Sequence, residues 1–114
     1  MENEKSLFIL WTNADVETSI NMVMMYATNS LSHAWWEKVT VIVWGATATL
    51  LAENSAVQKE AKYAMENGVK FSACSSCAKN LGVVDSLTEL GIELIPWGEP
   101  LTEILMKNGK LLTV

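Results

Sequence analysis

The chain has 114 residues and a formal net charge of −5, from 8 Lys and Arg residues and 13 Asp and Glu residues. That length fits one domain over residues 1–114, and a hydrophobic fraction of 50% can fill its core without disulfides or structural metals. No run of Lys or Arg offers a site for nucleic acid, and no stretch is long and apolar enough to predict a membrane span.

The N-terminal stretch "MENEKSLFILW" (1–11) does not resemble a secretory signal, because its early charges are mixed and its apolar run is short. We therefore expect a cytoplasmic protein. The run "SLFILW" (6–11) predicts a buried strand, and Asp15 is a good N-cap for the helix that follows. The apolar stripe of that helix consists of Val16, Ile20, Val23, Met24, Ala27 and Leu31.

The first helix is predicted to end near Ser30, and a second apolar surface lies outside its main stripe. The chain has five Trp and six Met, which is rich for this length and favours self-association. We expect the second surface to contact a partner subunit; it consists of Met22, Met25, Tyr26, Trp35 and Trp36.

The middle of the chain begins with "KVTVIVW" (38–44), a β-branched run that predicts a parallel strand covered on both faces. "GATATLLAENS" then leads into a second helix, which ends at Gly68, a natural C′ residue. The apolar stripe of this helix consists of Val57, Ala61, Ala64 and Met65.

The last part of the chain repeats the alternation of strand and helix. Residues 69–74 and 92–96 predict strands three and four, and "KLLTV" predicts a fifth. Between them "SSCAKNLG" starts a helix, which "VVDSLTELG" continues or follows with another helix capped by Asp85. The final helix has Pro100 in its first turn and Gly109 at its end. Together the elements predict an α/β fold with a mostly parallel sheet and helices on both faces.

The loops after the strands are the predicted binding edge, because ligands of open α/β sheets bind outside the carboxyl ends of the strands. Neither a Walker sequence nor a dinucleotide fingerprint is present, so a phosphate site has little support. His33 lies at the opposite edge and is a poor candidate for a base at this site. The predicted binding residues are Asn13, Trp44, Gly45, Thr47, Ser75, Ser76 and Trp97.

Cys74 and Cys77 are the only cysteines in the chain. Cys74 ends the third predicted strand, and Cys77 lies in the first turn of the next helix. The backbone N–H groups of Ser75 to Cys77 and the helix dipole there favour a thiolate. Four interpretations remain open: a redox pair, a sulfur-carrying thiol with a helper, half of a metal site, or two small buried residues. One C-x-x-C supplies two metal ligands, so a complete site would need two subunits, and no metal or cofactor is assigned.

Three segments resemble the DsrE-like family, which contains sulfur-relay subunits of the DsrE and TusD type and relatives of the YchN type. They are "KVTVIVWGATATLLAEN", "ACSSCAKNLGV" and the tail "GIELIPWGEPLTEILMKNGKLLTV". The most specific feature is Cys74 with Gly82 eight residues later, and Cys77 is similar to the second cysteine of YchN-type relatives. The resemblance implies a three-layer α/β/α fold around a five-stranded sheet, and assembly into homotrimers or hexamers.

The same resemblance implies a function. Cys74 matches the persulfide-carrying cysteine of the sulfur-relay members, so it would accept sulfane sulfur from a donor protein and pass it to an acceptor. Cys77 would then act as a resolving thiol. This activity is that of a sulfurtransferase-like carrier, and whether the protein is an enzyme is left open. The alternatives are a non-catalytic module that binds a small ligand or a partner, and a metal site shared between subunits through the C-x-x-C motif.

Overall fold

Five strands form one parallel sheet in the part of the chain that the structure describes, residues 5–114 of a computed structural model. Their order across the sheet is β4-β3-β2-β1-β5, and every neighbouring pair is parallel. The strands are β1 (Ser6–Trp11), β2 (Lys38–Val43), β3 (Lys70–Cys74), β4 (Glu93–Ile95) and β5 (Lys110–Thr113).

Helices connect all successive strands. The first connection is one continuous helix in three segments, α1 (Val16–Thr18), a π-helical segment (Ser19–Met24) and α2 (Met25–Ser32). The later connections are α3 (Ala46–Glu53) and α4 (Ser55–Glu66), then α5 (Ser75–Leu81) and α6 (Val84–Glu89), then α7 (Gly98–Met106). The α/β class and the parallel sheet predicted from the sequence are therefore confirmed.

The two faces of the sheet are covered unequally. Alternate strand residues such as Ile9, Val41 and Phe71 are buried in the main core, together with residues of the helices from the π-helical segment to α6. The other face carries Ile42 and Cys74 and packs against α7. The molecule thus has three layers, but α7 alone forms the third.

The first helix departs from the prediction in its middle and at its end. It continues to Ser32 rather than ending near Ser30, and Val16 of the predicted stripe is exposed. Its π-helical segment begins at Ser19, which is fully buried. The Ser19 hydroxyl accepts a hydrogen bond from Trp11 Nε1 at 3.0 Å and donates one to the carbonyl of Asn13 at 3.1 Å. These contacts with β1 and its loop fix the start of the π-helical segment.

The predicted second helix is two helices with a break at Asn54. Asn54 has an extended backbone, with φ −100° and ψ 114°, and its side chain accepts a hydrogen bond from the N–H of Val57 at 2.9 Å. Such capping by Asn is a common start signal for a helix. The helix that follows ends at Glu66, and Gly68 takes the predicted positive φ, 99°.

Two predicted helix ends lie elsewhere. Asp85 does not cap α6, because Val83 occupies the N-cap position directly after the left-handed Gly82 that ends α5. At the end of α7, Asn108 rather than Gly109 has the positive φ, 57°. Gly109 is needed for space, since a Cβ there would lie 2.8 Å from Cγ2 of Ile104.

Thr47 joins the loop after β2 to the end of β1. Its buried hydroxyl donates to the carbonyl of Trp11 at 2.7 Å and accepts from the N–H of Trp44 at 3.2 Å. Between Trp44 and Thr47 lies Gly45, whose φ of 75° and ψ of −136° suit glycine alone. The hydrogen bonds of Thr47 therefore hold a turn that the backbone would not adopt easily.

Replacing Thr47 with Val keeps the shape of the side chain and removes its hydroxyl. We expect a loss of about 1–3 kcal/mol in the free energy of unfolding, because the carbonyl of Trp11 and the N–H of Trp44 lose their hydrogen bonds with the hydroxyl and keep only the long one between them, at 3.4 Å. Urea denaturation measures this loss. Thr49→Val, a change at a half-buried threonine of the same helix, is the control. Equal stability of the two variants would contradict the role given to Thr47.

Candidate functional site

A cavity of about 720 Å³ lies at the carboxyl ends of β2, β3 and β4. Both cysteines line it, and so do residues of the loops after all three strands. The lining residues are Trp44, Gly45, Ala46, Cys74, Ser76, Cys77, Asn80, Leu81, Pro96, Trp97 and Gly98. None of these side chains carries a formal charge.

Cys74 is the last residue of β3 and the N-cap of α5. Its side chain is only 6% exposed and packs with Ile42 and Trp97. The predicted hydrogen bonds from the start of the helix to this sulfur are missing, since the Cys74 side chain makes no capping hydrogen bond. The side chain is pressed into the small apolar cluster under α7 instead.

Cys77 lies one helical turn further on and is half-buried. The N–H of Gly45 donates a hydrogen bond to its sulfur, with 3.1 Å between nitrogen and Sγ. The carbonyl oxygen of Gly45 lies 3.7 Å from the same sulfur. Both backbone polar groups of Gly45 thus contact the sulfur of Cys77, the N–H as a hydrogen-bond donor and the carbonyl as an acceptor from the thiol. The two cysteines are free thiols.

A chain of hydrogen bonds fixes Trp97, which forms one wall of the cavity and is 4% exposed. Its Nε1 donates to the hydroxyl of Ser72 at 2.8 Å, and that hydroxyl donates to Oε1 of Glu93 at 2.8 Å. Lys70 Nζ lies 3.3 Å from the other carboxylate oxygen. The hydrogen bond from Ser72, and secondarily Lys70, lower the pKa of Glu93 below its ordinary value of 4.5.

The predicted binding residues divide into two groups. Trp44, Gly45, Ser76 and Trp97 lie around the cavity with the two cysteines, whereas Asn13, Thr47 and Ser75 do not line it. The loop that contains Asn13 is tied to the C-terminus, because the N–H groups of Thr12 and Asn13 donate to the carbonyl of Val114. Asn13 Oδ1 also accepts from the N–H of Asp15 at 2.9 Å.

Five lining residues were not predicted from the sequence: Ala46, Asn80, Leu81, Pro96 and Gly98. Pro96 and Gly98 flank the predicted Trp97 in the loop after β4, so their position next to Trp97 could have predicted that they line the cavity. Asn80 and Leu81 lie in the second turn of α5, three and four residues after Cys77. Their helical spacing from that cysteine would have placed them on the same side of α5.

His33 lies in the turn after α2, away from the cavity. Its ring stacks on Trp35, with centroids 5.1 Å apart, and it is exposed. No three His, Cys, Asp or Glu side chains within residues 5–114 come together as a metal site. In the same residues, no helix has both the length and the apolar character needed to cross a membrane.

The family model described as "DsrE/DsrF-like family" matches residues 5–113 of this chain. The chain belongs to the DsrE/DsrF-like family. The parallel five-stranded sheet with its connecting helices agrees with a DsrE-like architecture.

Two solved structures are similar to this DsrE-like chain. BT1422 from Bacteroides thetaiotaomicron, a conserved protein of unknown function, has 38% sequence identity and a TM-score of 0.97, over 100% of this chain and 98% of that one. MTH1491 from Methanobacterium thermoautotrophicum, also of unknown function, has 18% identity and a TM-score of 0.73, over 96% and 97% of the two chains. No functionally curated protein matches the sequence.

Replacing Glu93 with Gln should destabilise the fold at neutral pH and have a smaller effect in acid. The pKa of Glu93 is lowered in the folded state, so its ionised form stabilises the fold above 4.5, and this contribution is lost as the pH falls below that value. The carboxylate is partly exposed, so we expect less than about 1 kcal/mol. Urea denaturation of both proteins over a pH series measures it.

The control for that pH series is Glu89→Gln, which removes one negative charge from an exposed position of α6. A stability difference between wild type and Glu93→Gln that stays constant from neutral pH into acid would contradict the assignment.

Proposed function

We propose that this DsrE-like protein accepts sulfane sulfur on its Cys74–Cys77 thiol pair and passes it on. The observation that carries the proposal is the contact of the Gly45 N–H with the Cys77 sulfur, in a cavity that both cysteines line. A backbone donor at a sulfur stabilises its negative charge, and the thiolate is the form that attacks sulfur. Membership of the DsrE/DsrF-like family, which resembles the sulfur-relay group described above, supports the proposal that the protein carries sulfur.

The chemistry requires one thiolate, a donor persulfide and an acceptor thiol. The thiolate of the protein attacks the outer sulfur of the donor persulfide; the new S–S bond forms as the S–S bond of the donor breaks. The donor leaves as a thiolate, and the protein carries a persulfide. An acceptor thiolate then attacks the outer sulfur of that persulfide, and the cysteine of the protein leaves as a thiolate. No net oxidation or reduction occurs in this transfer.

The uncharged lining of the cavity restricts the class of donor. Trp44, Leu81, Pro96 and Trp97 give it a largely apolar surface, and Ser76 and Asn80 are its polar side chains. Such a surface would have to strip water from a multiply charged anion without offering a cation in return. The proposal therefore favours persulfides of small organic thiols or of proteins, whose carboxylates lie several bonds from the reacting sulfur and can stay in solvent. Thiosulfate is disfavoured, because its two negative charges lie on the reacting sulfur and the sulfonate next to it and would have to enter the uncharged cavity.

Self-association is a second part of the proposal, and the uneven covering of the sheet supports it. No residue of α7 is buried, although α7 is the one helix on its side of the sheet. Under it, Phe8, Leu10 and Leu111 are only half-buried, and a groove of about 620 Å³ opens between α7 and the amino ends of β1 and β2. A second copy of the chain would cover this apolar face.

The sulfur-carrier proposal is tested by intact mass spectrometry after reduced protein is treated with glutathione persulfide. We expect wild type either to gain the mass of one sulfur atom, reversibly on reduction, or to release sulfide. The double variant Cys74→Ser, Cys77→Ser should do neither, and thiosulfate should be a much poorer donor. A wild-type protein that neither gains sulfur nor releases sulfide would refute the proposal.

The assembly is tested by size-exclusion chromatography with light scattering. We expect wild type to have the mass of a trimer or hexamer, and Leu105→Glu on α7, where the side chain is 57% exposed, to dissociate it. Met25→Glu, at a position that is 51% exposed on α2, tests the other apolar surface. A monomeric wild type, or dissociation by Met25→Glu alone, would contradict the assignment of the interface to the α7 face.

A further inference from the structure

The two cysteines differ in the surroundings of their sulfur atoms. Cys74 is 6% exposed, lies among apolar side chains and receives no capping hydrogen bond. Cys77 is more accessible, and the N–H of Gly45 lies 3.1 Å from its sulfur. Cysteines that react readily with donors from solution are found in partly exposed sites with local positive potential, whereas burial in apolar surroundings slows such a reaction.

The N–H group that donates a hydrogen bond to Cys77 is held in place before any reaction. The N–H belongs to Gly45, whose φ of 75° and ψ of −136° are torsion angles that suit glycine alone. Thr47 accepts a hydrogen bond from the preceding N–H, that of Trp44, and ties the loop to β1. A fixed dipole of this kind stabilises charge without reorganising when the charge appears.

A sulfur carrier uses the same atom twice, first as the nucleophile and later as the leaving group. Negative charge builds on that atom at the start of the first step and at the end of the second. The Gly45 N–H contacts Cys77 Sγ and would stabilise the thiolate at both points. Cys74 has no comparable donor among its described contacts.

We propose that Cys77, and not Cys74, is the thiol that takes up sulfur, and that Cys74 is the resolving thiol. This assignment rests on the proposed function and reverses the roles that the family resemblance implies. In this scheme Cys77 is the residue that reacts with the sulfur-donating persulfide. Gly45 acts through Cys77, by its N–H group.

The role of Cys74 follows from its place in the same cavity. When no acceptor thiol arrives, the thiolate of Cys74 attacks Sγ of the Cys77 persulfide. The Cys74–Cys77 disulfide forms, the S–S bond of the persulfide breaks, and hydrosulfide leaves. The sulfane sulfur gains two electrons and the two thiols lose them. A dithiol reductant must then restore the pair, so the protein would return to the carrier state only where such a reductant is present.

The assignment is tested with glutathione persulfide on three reduced proteins, with intact mass, peptide-level mass and released sulfide as the readouts. We expect wild type to release sulfide and to lose two hydrogens as its disulfide forms. Cys74→Ser should accumulate a stable persulfide on Cys77 and release little sulfide. Cys77→Ser should take up sulfur more slowly than Cys74→Ser, on the order of tenfold, because it lacks the thiol with the N–H donor.

A second measurement compares the two thiols within the native protein. Native protein is alkylated with iodoacetamide for increasing times and then digested, and the modified fraction of each cysteine is followed by mass spectrometry. We expect Cys77 to react before Cys74. Gly45→Ala, which strains the turn at a positive φ without a steric clash of its Cβ, should slow alkylation of Cys77. Gly98→Ala, at a second glycine of the cavity wall, is the matched control.

The outcomes separate this assignment from the function on which it rests. If none of the three proteins takes up sulfur or releases sulfide, the carrier function fails. If Cys77→Ser takes up sulfur as fast as Cys74→Ser, or carries it on Cys74 at the wild-type rate, the function holds and the assignment is overturned. Faster alkylation of Cys74 than of Cys77 in the native protein would overturn it as well. Denaturation midpoints of all variants show that each is folded.

Discussion

The parallel alignment of β2 with β3 is the constraint on which the site depends. Val43 of β2 pairs with Ala73 of β3, so the two strands end nearly level and their loops begin side by side. Gly45, two residues beyond Val43, therefore comes within hydrogen-bond distance of Cys77, three residues into the helix after β3. An antiparallel partner would place the loop after β2 at the other end of β3. The hydrogen bond at Cys77 thus depends first on the direction of the two strands, and only then on the side chains around it.

A second constraint is the distribution of helices between the two faces. Connections that all step the same way across a parallel sheet stay on one side of it, because crossovers are right-handed. The chain steps from β1 through β4 in one direction and returns to the far side of β1 only for β5. One helix, α7, makes that return and covers its face alone. The apolar sheet surface beside α7 is therefore a product of strand order.

The sequence predicted the elements well where the signal is local. The apolar runs became strands at the predicted places, because continuous β-branched and aliphatic segments suit a parallel sheet. Asp15 caps the first helix as expected, and its carboxylate accepts from the N–H of Thr18 at 2.9 Å. The cysteines, Trp44 and Trp97 were assigned to one edge by the rule that places loops at strand ends, and the structure brings them around one cavity.

Some failures have a local cause, such as the helix break at the capping residue Asn54, but three depend on contacts between residues further apart in the chain. The π-helical segment is fixed by hydrogen bonds of Ser19 with Trp11 and Asn13. The contact between Gly45 and Cys77 joins residues 32 positions apart, so no local sequence pattern predicts it. The start of a helix after Cys74 led to the expectation that this sulfur would receive the N–H groups, but its packing with Ile42 and Trp97 decides otherwise.

The donor at Cys77 is a backbone group, and this has a consequence for how the protein can evolve. Trp44 and Ala46 can be substituted without removing the N–H at position 45, because every residue except proline has a backbone N–H. Selection on this contact would act instead on what shapes the turn, namely the glycine that permits its torsion angles and the threonine hydroxyl that anchors it. Two relatives could thus share the reactive environment of the thiol while their aligned pocket side chains differ almost completely.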